Sequence, residues 1–130
     1  MKKILILALG ALAMISCAKQ PCDARHTCWA YDATIYELNT RQATPEGTFA
    51  AAEALLPEIK ESGVDIIWIM PIQKIGVLER KGTLGSYYAI TDYCEFNPEF
   101  GTRADFEHFL AKAHELGMKV ILDWVANHTA

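Results

Sequence analysis

The sequence has no apolar run that could cross a membrane: the stretch Ile4 to Ala13 falls well short of the ~20 residues a spanning helix needs. It also lacks an excess of positive charge, since 12 Lys and Arg face 16 Asp and Glu for a net charge of −4. Without a basic footprint, nucleic acid is excluded as a partner. Cysteine is scarce, and the spacing of Cys17, Cys22, Cys28 and Cys94 is not that of a zinc site. Nor do the 4 histidines form a His-rich cluster along the chain that would suggest a metal shell.

What is present begins with an export signal. Lys2 and Lys3 precede the short apolar run, the layout of a signal peptide covering residues 1–16. The following "MISCAKQ" resembles a bacterial lipobox, in which the cysteine is cleaved, acylated and left as the new N-terminus. Cys17 is therefore the expected lipidation site, with residues 17–30 as a tether and the protein anchored in a bacterial cell envelope by its lipid. Ala11-Leu12-Ala13 keeps ordinary secretion open as the alternative. Removal of residues 1–16 takes away Lys2 and Lys3 and no acid, which moves the net charge from −4 to −6. In an oxidising compartment Cys22, Cys28 and Cys94 suggest at most one disulfide, with Cys22 to Cys28 as the simplest pairing.

From residue 31 the pattern becomes regular. Thr34 to Leu38 is β-branched and aromatic enough for a strand, and Thr48 caps a predicted helix reaching Ser62, with a bend or restart expected at Pro57. Val64 to Met70 is nearly continuous in apolar residues, the mark of a parallel strand covered on both faces. Thr102 caps a second helix whose Phe106, Phe109, Leu110, Ala113 and Leu116 fall at helical spacing before Gly117 stops it. Lys119 to Val125 is the third predicted strand. Alternating strands and helices of this kind imply a parallel α/β sheet with right-handed crossovers. The connection from Pro71 to Gly101 is far longer than the usual ~2–6 residues and is rich in aromatics, so it reads as an ordered, functional loop. It follows the carboxyl end of a strand, where α/β folds place their ligand sites.

The chemistry concentrates in "DWVANH". Along the third strand Ile121, Asp123 and Val125 share one face, so Asp123 points inward if that face lines a barrel. Asn127 and His128 follow on the rim. In isolation the motif fits an Asp that caps a turn beside a packed His, or a set of metal ligands, as well as it fits a binding site.

The wider context narrows these alternatives. "DWVANH", the upstream "GSYYAITDY", "EFNPEFGT" and "VDIIWIMPI" together resemble the α-amylase family, glycoside hydrolase family 13, in order and spacing over roughly residues 33–130. Gln73-Lys74 departs from the His-Pro often found there, which bears on loop shape and subsites. The resemblance implies the first three β/α units of a (β/α)8 TIM barrel, incomplete, with residues 31–130 as the N-terminal part of the catalytic domain. It implies that Tyr88 stacks under the sugar at the cleavage point and that His128 hydrogen-bonds the same sugar. Asp123 and Asp92 would support the site, and Asn127 would be a ligand of a structural calcium. The catalytic carboxylates, two Asp and one Glu, would follow later strands and are not expected in this stretch, which alone is expected to be inactive. The substrate implied is an α-glucan or maltooligosaccharide, cleaved with retention. A same-fold transglycosylase or isomerase and a non-catalytic sugar-binding surface protein remain the alternatives.

Overall fold

The computed structural model describes residues 27–130. Two units divide the chain, and of the first, Met1–Asp32, the described part is a single 3-10 turn at Cys28–Ala30. Cys28 is disulfide-bonded, whereas Cys94 is a free, exposed thiol. The expected signal peptide and the acylation at Cys17 lie outside the described residues.

The second unit, Ala33–Ala130, is built on a parallel sheet. Its strands are β1 (Ile35–Leu38), β2 (Ile66–Ile69) and, later in the chain, β5 (Lys119–Leu122), in the spatial order β1-β2-β5. Leu38 pairs with Ile69, which pairs with Leu122, so side chains at matched positions form rows across the sheet. Leu38, Ile67 and Ile69 are buried against Phe49, Ala52, Leu56, Phe106, Phe109 and Ala113, with Val120 packed at the side. The opposite face holds the row Glu37, Trp68, Ile121. There Ile35, Trp68 and Ile121 are 54%, 36% and 45% exposed. Helices thus cover one face of the sheet, and the other keeps exposed apolar side chains among the described residues. The expectation that β2 is covered on both faces is met fully on the helix side and in part on the other, where Ile66 is buried and Trp68 is exposed.

Helices fill the crossovers. A short helix, α1 (Thr40–Ala43), follows β1 and was not expected from the periodicity. The predicted helix from Thr48 to Ser62 is two: α2 (Phe49–Glu53), capped by the Thr48 side chain, and α3 (Leu56–Glu61). Pro57 stands in the first turn of α3, where a missing N–H is harmless, so the chain restarts rather than kinks. α4 (Arg103–Glu115) opens with a reciprocal capping box between Thr102 and Asp105 and buries Phe106, Phe109 and Ala113.

The long connection is more ordered than a loop. Gln73–Ile75 forms β3 and Ile90–Phe96 forms β4, an antiparallel pair with two register irregularities, followed by a 3-10 turn at Pro98–Phe100. Phe49 ties this excursion to the core by edge contacts with Phe96, Phe100 and Phe106 at 6.1, 5.9 and 5.3 Å. The strand predicted to reach Val125 ends its ladder at Leu122, although the Asp123 amide still donates to the Ile69 carbonyl at 2.9 Å.

Candidate functional site

Asp123 lies one step beyond the carboxyl end of β5, on the same face as Ile121 and Trp68. There the Tyr88 hydroxyl donates to Asp123 Oδ2 at 3.0 Å, joining residues 35 apart in sequence. Burial of the phenol, and after it the hydrogen bond and charge of Asp123, push Tyr88 up to about 12 from an ordinary value of 10. At neutral pH Tyr88 is therefore a fixed neutral donor, and its half-buried ring keeps an apolar face beside a carboxylate. The ring of Tyr87 lies 5.3 Å from that of Tyr88, tilted by 52°.

The chain after β5 turns back along β4. Ala130 N–H donates to the Ile90 carbonyl at 2.8 Å, and the Tyr93 hydroxyl reaches the carbonyls of Val125 and, at 3.1 Å, His128. Tyr93 also meets the edge of Trp124, with 6.4 Å between ring centres. One phenol thus fixes the backbone on both sides of Asn127. The Asn127 amide nitrogen lies 3.2 Å from His128 Nδ1, a donor and acceptor pair when the proton sits on Nε2, and both side chains are exposed.

Of the residues singled out in the sequence, Tyr88 meets Asp123 and Asn127 meets His128. Asp92 stands apart: its carboxylate accepts from the Cys94 amide at 2.8 Å, and neither Tyr88 nor Asp123 is among its hydrogen-bond partners. That bond is local, within β4. Tyr93 carries no sequence signal for this role, because a bond from a side chain to backbone carbonyls leaves no pattern of residue types. Asn127 offers one hard oxygen where calcium takes ~6–8. Among the described residues no group of three or more His, Cys, Asp or Glu converges, so this donor set does not by itself hold the ion.

A parallel sheet with an aromatic donor and a carboxylate at its carboxyl end is a shape shared by many enzymes. Residues 32–130 match the family model described as "Alpha amylase, catalytic domain". The chain belongs to the alpha-amylase family. Alpha-amylase MalA of Haloarcula japonica is 37% identical over 87% of this chain and 16% of its own length. An alpha-1,4-glucan:maltose-1-phosphate maltosyltransferase of Rhodospirillum rubrum is 36% identical over 74% of this chain and 18% of its own. The crystal structure of an alpha-amylase from Lactobacillus plantarum superposes with a TM-score of 0.74 at 53% identity, covering 75% of this chain and 23% of that one. The chain spans less than a quarter of the length of these relatives. Within the alpha-amylase family its three parallel strands and the helices between them are part of the (β/α)8 barrel, which explains the open face of the sheet.

Proposed function

We propose that the complete protein is an α-glucan-active retaining glycoside hydrolase in which Tyr88 and His128 hold the sugar whose bond breaks. The observation that carries this reading is the Tyr88 to Asp123 hydrogen bond at the carboxyl end of β5, in a chain of the alpha-amylase family. A pyranose presents a flat C–H surface and a rim of hydroxyls. A tyrosine ring and an exposed imidazole offer the matching stack and hydrogen bond. Asp123 acts through Tyr88, by orientation and charge. The bond-breaking carboxylates belong to the rest of the barrel: one bonds to the anomeric carbon as the leaving oxygen takes a proton from the other, about 5 Å away. The second then draws a proton from the water that releases the sugar. Transfer to an acceptor sugar instead of water is the second reading, favoured by the likeness to the maltosyltransferase.

Calcium belongs to the proposal as a structural ion for which Asn127 supplies one oxygen and the remaining barrel the others. Tyr88→Ala, His128→Ala and Asn127→Ala, made in the complete protein, separate these roles. The first two should lower kcat and kcat/KM together on a maltooligosaccharide, because ring distortion strengthens their contacts in the transition state. Asn127→Ala should keep kcat and lose the rise in melting temperature that calcium brings over a chelator. Full turnover in His128→Ala would sink the site assignment, and an Asn127→Ala protein that responds to calcium like wild type would remove the ion.

Export and lipidation complete the proposal. Cys17, directly after Ser16 and the apolar run, would anchor the protein in the bacterial envelope, facing its glucan substrate. A radioactive fatty acid should label the wild type and not Cys17→Ala. Equal labelling of both would refute the anchor.

A further inference from the structure

We infer that Arg41, helped by Asn39, is a positioning residue for Tyr88, clamping the segment that delivers this ring to the site; the inference rests on the reading of Tyr88 as the sugar-stacking residue. Both residues lie just past β1, where the chain enters α1, and neither reaches Tyr88 directly. Instead they hold what precedes it. Arg41 Nη1 donates to the Gly85 carbonyl at 3.1 Å, and Nη2 donates to the Leu84 carbonyl at 3.3 Å and to Glu99 Oε2 at 3.0 Å. The guanidinium carbon also lies over the rings of Tyr87 and Phe100, 5.1 and 5.9 Å from their centres. Asn39 Nδ2 donates to the Tyr87 hydroxyl at 3.1 Å.

Each contact has a geometric consequence. Gly85 sits at φ 66°, a left-handed turn that re-aims the chain three residues before Tyr88, and Arg41 fixes the carbonyl of that turn. Tyr87 is held at both ends, by the guanidinium on its face and by Asn39 at its hydroxyl, and its ring packs beside that of Tyr88. The path therefore runs from Arg41 and Asn39 through the Gly85 turn and Tyr87 to Tyr88, whose hydroxyl then finds Asp123. A planar fork that bonds two carbonyls and a carboxylate while lying on two rings is a task for arginine. The ammonium of lysine is a point charge on a flexible stem and cannot do all of it. The Arg41 side chain is only 14% exposed, and among the described residues Glu99 is its one carboxylate partner, so its place is set by these contacts rather than by solvent.

The test is a double-mutant cycle in the complete protein, reading turnover of a maltooligosaccharide and melting temperature for wild type, Arg41→Met, Arg41→Lys, Tyr88→Ala and Arg41→Met with Tyr88→Ala. Arg41→Met is expected to lower kcat/KM by about ten- to a hundredfold, the scale of a misplaced contact, and Arg41→Lys to restore little of it. With Tyr88 already removed, loss of Arg41 should add nothing further, because there is no ring left to position. Losses that multiply, or a wild-type rate in Arg41→Met, overturn the inference while leaving the reading of Tyr88 intact. A wild-type rate in Tyr88→Ala overturns both. If Arg41→Met does not fold, Tyr87→Phe, which removes the hydroxyl held by Asn39, goes through the same cycle and the same outcomes decide.

Discussion

A phenol held against a carboxylate in a half-buried site resists ionisation for two reasons, desolvation and repulsion, and Tyr88 has both. The sign of the effect on stability follows from proton counting. Below pH 10 the phenol is protonated in folded and unfolded chains alike, and its contribution is complete. Between 10 and about 12 the unfolded chain ionises first, so the native state loses ground as pH rises. Ring-labelled tyrosine followed by NMR should show one tyrosine titrating near 12, absent from Tyr88→Phe. In Asp123→Asn it should fall part of the way toward 10, since burial remains when the charge goes. An unmoved titration in Asp123→Asn would mean that the carboxylate plays no part. At this scale the sequence was readable where side-chain chemistry leaves a motif, as at Tyr88, Asp123, Asn127 and His128. It was silent where one side chain grips another segment's backbone, as Tyr93 grips Val125 and His128 and Arg41 grips Leu84 and Gly85.

Among the elements, the hairpin excursion and the helical layer meet at Phe49, the first residue of α2. Its ring is 1% exposed and touches the rings of Phe96, Phe100 and Phe106, so one side chain fastens β4, the 3-10 turn and α4 together. Phe49→Ala is expected to destabilise the fold by about 3–5 kcal/mol, and Phe49→Leu by clearly less because most of the volume stays. Chemical denaturation of the complete protein checks this, and an unchanged midpoint in Phe49→Ala would show that the excursion docks independently of α2. The helices were legible in advance because caps and periodicity agree: Thr48, Thr102 and Gly117 mark ends that the structure keeps. The strand pair β3 and β4 was not. β3 has three residues between Ile72 and Gly76 and its register shifts twice, so no period could develop. The alternation of Thr91, Tyr93 and Glu95 with Asp92 and Cys94 was visible but offered no apolar face to set it apart from a loop.

For the molecule as a whole, the decisive feature is the unlike pair of faces of the parallel sheet. Strand order, parallel register and crossovers follow from the alternation of buried strands and capped helices, and the sequence carried that alternation plainly. The open face with Ile35, Trp68 and Ile121 was harder to foresee, because apolar residues on both faces of β2 look the same whether the second layer is a helix or the far wall of a barrel. Family membership resolves the ambiguity in favour of the barrel wall. On the proposed reading, a complete barrel with Tyr88, Asp123 and His128 at its carboxyl-end rim opens α-glucosidic bonds by way of a covalent glycosyl-enzyme. The most direct measurement is proton NMR of the complete protein mixed with a maltooligosaccharide, read during the first turnovers before the new reducing ends equilibrate. Appearance of the α-anomer first is the expected result. Appearance of the β-anomer first, or no new reducing end at all, would contradict it.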